Sequence, residues 1–247
     1  MKIDLWADEP QGQFNFVNPT ALWLLPDGGF SFRIYLMKKA FVFIDGSNFY
    51  HRIKSIAQYF TKETGDEFST SRFNFRGFCK EIVGTNNLLE IRYYIGQIKR
   101  PNPSAKNNQK AQQLYDDQQR LTRYLQNENI IVRFGKLIKS AGSYHEKGVD
   151  VQIAVEMIRF ARQDKYDVAY LVSSDTDLVP AVEEVKDLGK EVVYVGVKRI
   201  PDKTDKKDAF GLSFGLLKVA NDIKIVEKDQ IKPFLAQKNV SKPSVIV

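Results

Sequence analysis

The chain has 247 residues, 43% of them hydrophobic, with 15 glycines, 9 prolines and a formal net charge of +7. That balance fits a soluble globular domain with extensions and excludes a fibrous or wholly disordered chain. The single cysteine, Cys79, excludes an internal disulfide, and the two histidines form no Cys/His zinc pattern. No apolar run approaches the roughly 20 residues that cross a bilayer as a helix, and Asp4, Asp8 and Glu9 argue against a secretory leader. The expectation is a cytoplasmic protein without a membrane partner, whose positive charge favours a polyanion.

Residues 1–36 mix aromatic residues with the breakers Asp-Glu-Pro, Asn-Pro and Pro-Asp-Gly-Gly and show no sustained period. They read as an appended arm or a mis-assigned start, because Met37-Lys-Lys leads straight into a strand. One domain is expected over 37–230, followed by a helix end and flexible tail over 231–247. From Lys38 onward strand-like and helix-like segments alternate, which predicts an α/β fold with a largely parallel sheet. The apolar run 40–44 is a strand buried on both faces. Helices follow at 47–60 and 73–83, a strand at 88–98, a long polar helix at about 106–127 and a strand at 130–138. The stretch 140–145 reads as a turn or exposed loop.

Residues 149–161 predict a helix with Val151, Ala154, Val155 and Ile158 on its apolar stripe. A strand at 167–173 leads to Asp177, expected to cap a helix with Pro180 in its first turn and Gly189 at its end. A strand at 191–195, a charged loop at 198–208, a helix at 212–220, a strand at 222–226 and a short helix complete the chain.

Asp45, Asp175 and Asp177 all follow strand ends, where open α/β sheets bind ligands. If the strands are parallel, these acids share one edge of the sheet, and Asp150 in the first turn of its helix reaches the same place. Clustered carboxylates repel unless protonated or compensated by a cation. Oxygen-only ligation points to Mg2+ or Mn2+ and to metal-assisted phosphoryl transfer or hydrolysis. Taken singly, Asp45 before Gly46 also reads as a turn, Asp177 as a cap and Asp150 as a dipole partner. Asn48, three residues after Asp45, is placed to orient a water or touch a phosphate, or to start its helix. Glu156 falls about 120° around its helix from Asp150, with Gln152, Arg159 and Gln163, and reads as a solvated face. His51 and His145 read as surface or packing residues.

The segments Phe41-Val-Phe-Ile-Asp-Gly-Ser-Asn48, Glu146-Lys-Gly-Val-Asp-Val151 and Leu171-Val-Ser-Ser-Asp-Thr-Asp177, with Gly189-Lys-Glu-Val-Val-Tyr-Val195, resemble the NYN domain of the PIN-like nuclease superfamily, in its LabA-like branch. The resemblance spans about 37–226. It implies a three-layer PIN-like (Rossmannoid) fold and RNA cleavage with Mg2+ or Mn2+, with Asp45, Asp150, Asp175 and Asp177 as the catalytic and metal-site acids. It also makes Asn48 and Lys147 candidate substrate contacts, adds Ser174 beside Asp175, and raises Glu156, which falls where many relatives carry an aspartate. Leu178 and Asn221 depart from the usual pattern and blur the domain's end.

Between Arg92 and Lys147 the residues Lys99, Arg100, Lys106, Lys110, Arg120, Arg123, Arg133, Lys136 and Lys139 outnumber the acids, which suits a phosphate track. Tyr93, Tyr94, Tyr115, Tyr124 and Tyr144 are candidates for base stacking or for the core. The reading is a metal-dependent ribonuclease acting on RNA, with DNA as the other polymer and a homo-oligomer left open. Its competitors are a non-catalytic RNA-binding adaptor or regulatory protein, and a metal phosphotransferase or sugar-nucleotide enzyme.

Overall fold

The computed structural model describes residues 20–24, 30–34, 37–101, 108–140, 143–200 and 211–237, and only the backbone of 20–24, 30–34, 108, 137–140 and 143–146. The expectations placed on Lys106, on the side chains of Lys139, Tyr144 and His145, on most of the loop 198–208 and on most of the C-terminal tail lie outside the described residues. The chain divides into two units, Met1–Met37 and Lys38–Val247. In the first, β1 (Thr20–Leu24) and β2 (Phe30–Ile34) pair antiparallel, with Thr20 opposite Ile34 and Leu24 opposite Phe30.

The second unit is an α/β fold. Its elements run β3 (Lys39–Asp45), α1 (Gly46–Thr64), β4 (Phe68–Ser69), α2 (Phe75–Val83), β5 (Asn87–Gln97), α3 (Asn108–Asn127), β6 (Ile131–Ser140), β7 (Ser143–Lys147) and α4 (Val149–Arg162). They continue through β8 (Val168–Val172), a 3-10 turn (Thr176–Leu178), α5 (Val179–Asp187), β9 (Glu191–Val197), α6 (Phe214–Val219), β10 (Asp222–Val226), α7 (Lys228–Ile231) and β11 (Ala236–Gln237). Among the described residues seven strands form one sheet in the order β10-β9-β8-β3-β5-β6-β7, all parallel except β7, which runs antiparallel to β6. A second, minimal pairing joins β4 to β11.

Burial of apolar side chains on both faces of the sheet drives this layering. Alternation along β3 sends Ala40, Val42 and Ile44 to one face, under Ile53, Ile56, Phe78 and Cys79 of α1 and α2. Phe41 and Phe43 go to the other, under Ile153 and Met157 of α4 and Val182 and Val185 of α5. None of the described helices is long and apolar enough to cross a membrane.

Three local expectations are corrected. The stretch read as a loop contains β7, which extends the sheet by pairing Lys147 with Lys136 and Ser143 with Ser140; it lacks the β-branched alternation that marks a strand. On α4 the buried stripe is Val149, Ile153, Met157 and Ala161, while Val151 and Val155 are 66% and 45% exposed. The rotation is set where the helix begins: a Cβ on Gly135 of β6 would stand 2.4 Å from Val149 Cγ2, so Val149 is seated against bare backbone. Asp177 does not cap α5; Asp175 caps the 3-10 turn instead, and Leu178, without a side-chain bond, precedes α5.

Candidate functional site

Successive parallel strands leave the centre of the sheet in two directions, β3 to β5 and β6 on one side, β8 to β9 and β10 on the other. The switch point therefore lies between β3 and β8, and a crevice opens there beyond the carboxyl ends of the strands. Asp45 is the last residue of β3 and the N-cap of α1. Gly46 follows it because nothing larger fits: a Cβ there would lie 2.4 Å from the Tyr93 ring and 2.5 Å from the Tyr94 carbonyl oxygen. The missing side chain lets α1 start against β5 and holds Asp45 at the crevice.

From Asp45 a chain of hydrogen bonds crosses the switch point. The buried carboxylate accepts from the Asn48 backbone N–H at 3.1 Å, from Asn48 Nδ2 at 2.7 Å and from Ser173 Oγ at 3.0 Å. Ser173 Oγ in turn accepts from the backbone N–H of Asp175 at 3.1 Å, and Asp175 Oδ1 accepts from that of Asp177 at 2.9 Å. On the other side Ser174 Oγ donates to Asn48 Oδ1 at 2.6 Å, and Arg52 Nη2 reaches Ser174 Oγ at 3.4 Å and the Gly211 carbonyl at 2.8 Å. Residues more than 120 positions apart are thus joined through two serines.

The remaining sequence candidates are placed less uniformly. Asp177 is exposed on the 3-10 turn. The helix α4 packs against that turn, and Asp150 lies in its first turn, one residue after Val149, which meets Gly135 two residues beyond the row Asp45–Tyr94–Arg133. Lys147 is exposed at the end of β7, three strand positions from β3, a backbone separation of about 14 Å at the usual strand spacing; the structure does not bring it beside Asp45.

Glu156 corrects the solvated-face reading. It is buried, accepts from Tyr94 Oη at 2.7 Å, and pairs with Arg92 and, at 3.3 Å, with Arg133 Nε. Arg92, also buried, pairs with Glu90 as well and lies 4.3 Å over the Phe160 ring. Burial first, and then the Glu156 charge, push the Tyr94 phenol well above its ordinary value. Arg92 is therefore an internal counter-ion, and Tyr93 and Tyr94 belong to the core. Arg120 pairs with Asp117 on an exposed helix face, and Tyr124 Oη donates to the Phe73 carbonyl.

The donors at the crevice are oxygen atoms of carboxylates, an amide and hydroxyls, which suit a hard cation in kind. Among the described residues no three Asp, Glu, His or Cys side chains are gathered closely enough to hold an ion by themselves. Magnesium commonly binds through one or two carboxylates while keeping its waters, and Asp45 and Asp175, linked through Ser173, offer that smaller set. Ser173 and Arg52 escaped the sequence reading. Arg52 is four residues after Asn48, on the same helical face, so its spacing carried the signal.

Compared with curated proteins, the sequence finds no match. Among solved structures, a protein of unknown function from Vibrio parahaemolyticus is 18% identical, with 81% of this chain and 97% of that one covered and a TM-score of 0.48. MurG from Acinetobacter baumannii is 10% identical, with 77% of this chain and 45% of that one covered and a TM-score of 0.32. By family, residues 39–210 match the NYN domain.

Proposed function

The chain belongs to the NYN domain family, within the PIN-like nuclease superfamily, and on that premise we propose that it is a metal-dependent ribonuclease whose site is the crevice between β3 and β8. The observation that carries the reading is the bonding of Asp45: among the described residues its hydrogen bonds come from neutral groups, Asn48 and Ser173. A buried carboxylate whose described hydrogen-bond donors are all neutral is open to an external cation, as one already held in an ion pair is not.

Asp45 and Asp175 would hold Mg2+ or Mn2+, with Asp150 and Asp177 completing the pocket. When bound, such an ion neutralises phosphate charge and acts as a Lewis acid toward the phosphodiester. Asn48 keeps the Asp45 carboxylate in one orientation by bonding both of its oxygens, and its own amide oxygen is held by Ser174. Ser173 fixes the spacing of the two strand ends. The proposed substrate is RNA.

The test is incubation of single-stranded and structured RNA and DNA with Mg2+, Mn2+ or EDTA. The expected result is RNA cleavage that EDTA abolishes and that Asp175→Asn lowers by about 100-fold or more with an unchanged circular dichroism spectrum. Equal activity in wild type and variant refutes the assignment. The lack of a three-carboxylate group among the described residues favours a second reading, an RNA-binding adaptor; binding of RNA without EDTA-sensitive cleavage by clean wild-type protein selects it.

A further inference from the structure

The segment 211–217 runs past the acids and is fastened at residue after residue. Arg52 Nη2 donates to the Gly211 carbonyl at 2.8 Å while reaching Ser174 Oγ at 3.4 Å. Leu212 occupies the space that a side chain on Gly196 of β9 would take, where a Cβ would lie 2.6 Å from Leu212 Cδ2. The Ser213 backbone N–H donates to Tyr194 Oη at 3.0 Å, and the Ser213 hydroxyl lies 3.0 Å from that of Thr176 and caps α6 by accepting from the Leu216 N–H at 3.3 Å. A Cβ on Gly215 would stand 2.8 Å from methyl groups of both Thr176 and Val179, and Leu216 is fully buried. Within this segment Phe214 alone is exposed, at 62%.

Isolated apolar residues are ordinary on protein surfaces; position sets this one apart. Thr176 stands between Asp175 and Asp177, and the residues on both sides of Phe214 touch it. The ring is thus carried beside the crevice on backbone tied to the acid-bearing turn itself. Stacking on an unpaired base is favoured by a bare ring on a fixed backbone, because little freedom is lost on contact. A strand whose phosphate is drawn to a cation at the acids presents its neighbouring bases at this rim, and every base has a face for an aromatic ring.

We propose that Phe214 is a stacking platform for one unpaired base of the strand whose backbone lies at the acids. The proposal rests on the nuclease reading in taking that strand as the ligand, and it adds that the strand is single there, since a paired base keeps its faces against its helix neighbours. Stacking needs no metal, so it is separable from cleavage.

The experiment is binding of a short fluorescein-labelled single-stranded RNA in EDTA, followed by anisotropy between about 50 and 200 mM salt. Phe214→Ala is expected to weaken binding about tenfold and Phe214→Trp to keep it, while Phe214→Leu, apolar but without a ring face, behaves like the alanine variant. The slope of log affinity against log salt stays that of the wild type, because no phosphate contact is removed. With abasic nucleotides placed one at a time along the RNA, one position is expected at which the loss matches that of Phe214→Ala and the two losses do not add. Melting temperatures check folding; if Phe214→Ala unfolds, the leucine and tryptophan variants decide. Wild-type affinity in Phe214→Ala, full rescue by leucine, an equal loss on duplex RNA, additive losses at every abasic position, or no RNA binding by the wild type overturns the platform. So does a dimer in sedimentation that Phe214→Ala dissociates, which gives the ring to a second copy of the chain. Phe214-dependent binding by a protein that never cleaves defeats the nuclease reading and leaves the platform standing; cleavage with Phe214-indifferent binding does the reverse.

Discussion

Asp45 and Glu156 are both buried carboxylates, and what surrounds them separates their roles. Glu156 meets Arg92 and Arg133, so its charge is compensated inside the fold; Asp45 meets an amide, a backbone N–H and a hydroxyl. Removing one partner of a buried pair leaves the other charge stranded, at about 3–5 kcal/mol. Glu156→Gln is therefore expected to lower unfolding free energy by about that amount in urea titrations, while the folded fraction keeps the proposed RNA cleavage. A loss of activity without loss of stability would make Glu156 part of the site instead. Family position pointed toward the site and helical spacing toward solvent. Neither signal contained the partners, Arg92 and Tyr94, which come from a strand some 60 residues earlier.

At the scale of elements, α4 shows how a correct helix carries a misassigned face. Apolar residues occupy two stripes of its sequence, Val151 with Val155 and Val149 with Ile153 and Met157. Periodicity alone does not choose between them. The choice is made by the seat of Val149 on Gly135 at the end of the β6–β7 ribbon. Ile153→Ala is expected to cost about 2–4 kcal/mol through a cavity against Phe41 and Phe43, and Val151→Lys to stay within about 0.5 kcal/mol; equal effects in chemical denaturation would contradict the observed rotation. Strand β3 is the opposite case. Its unbroken apolar run demands burial on both faces, and it has it. The Asp45-Gly46 step was legible as a turn, but the reason for its glycine, the approach of β5, was not.

The whole molecule has a pH signature written in its core. Burial raises Cys79, Tyr94, Tyr166, Tyr170 and Tyr194 above their ordinary values, which are 9.0 for the thiol and 10.0 for the phenols. Above about pH 9 the unfolded chain gives up protons that the folded chain keeps, so stability is full below that pH and falls as pH rises, by up to about 1.4 kcal/mol per pH unit for each group. Urea midpoints measured from pH 8 to 11 are expected to drop steeply past pH 9; a flat profile would mean these groups are not buried as described. At this same scale the two sources of information divide. The alternation of apolar runs and amphipathic stretches determined an α/β fold with a parallel sheet, and the acids after the runs determined which residues stand at strand ends. Both are local, because hydrophobic period and strand termini are properties of a few consecutive residues. That β8 lies beside β3, that Ser173 ties Asp45 to Asp175, that Glu156 is neutralised and that Arg52 faces Ser174 were decided only in the tertiary structure. Each depends on strand order and helix rotation, which bring together segments that no local pattern relates.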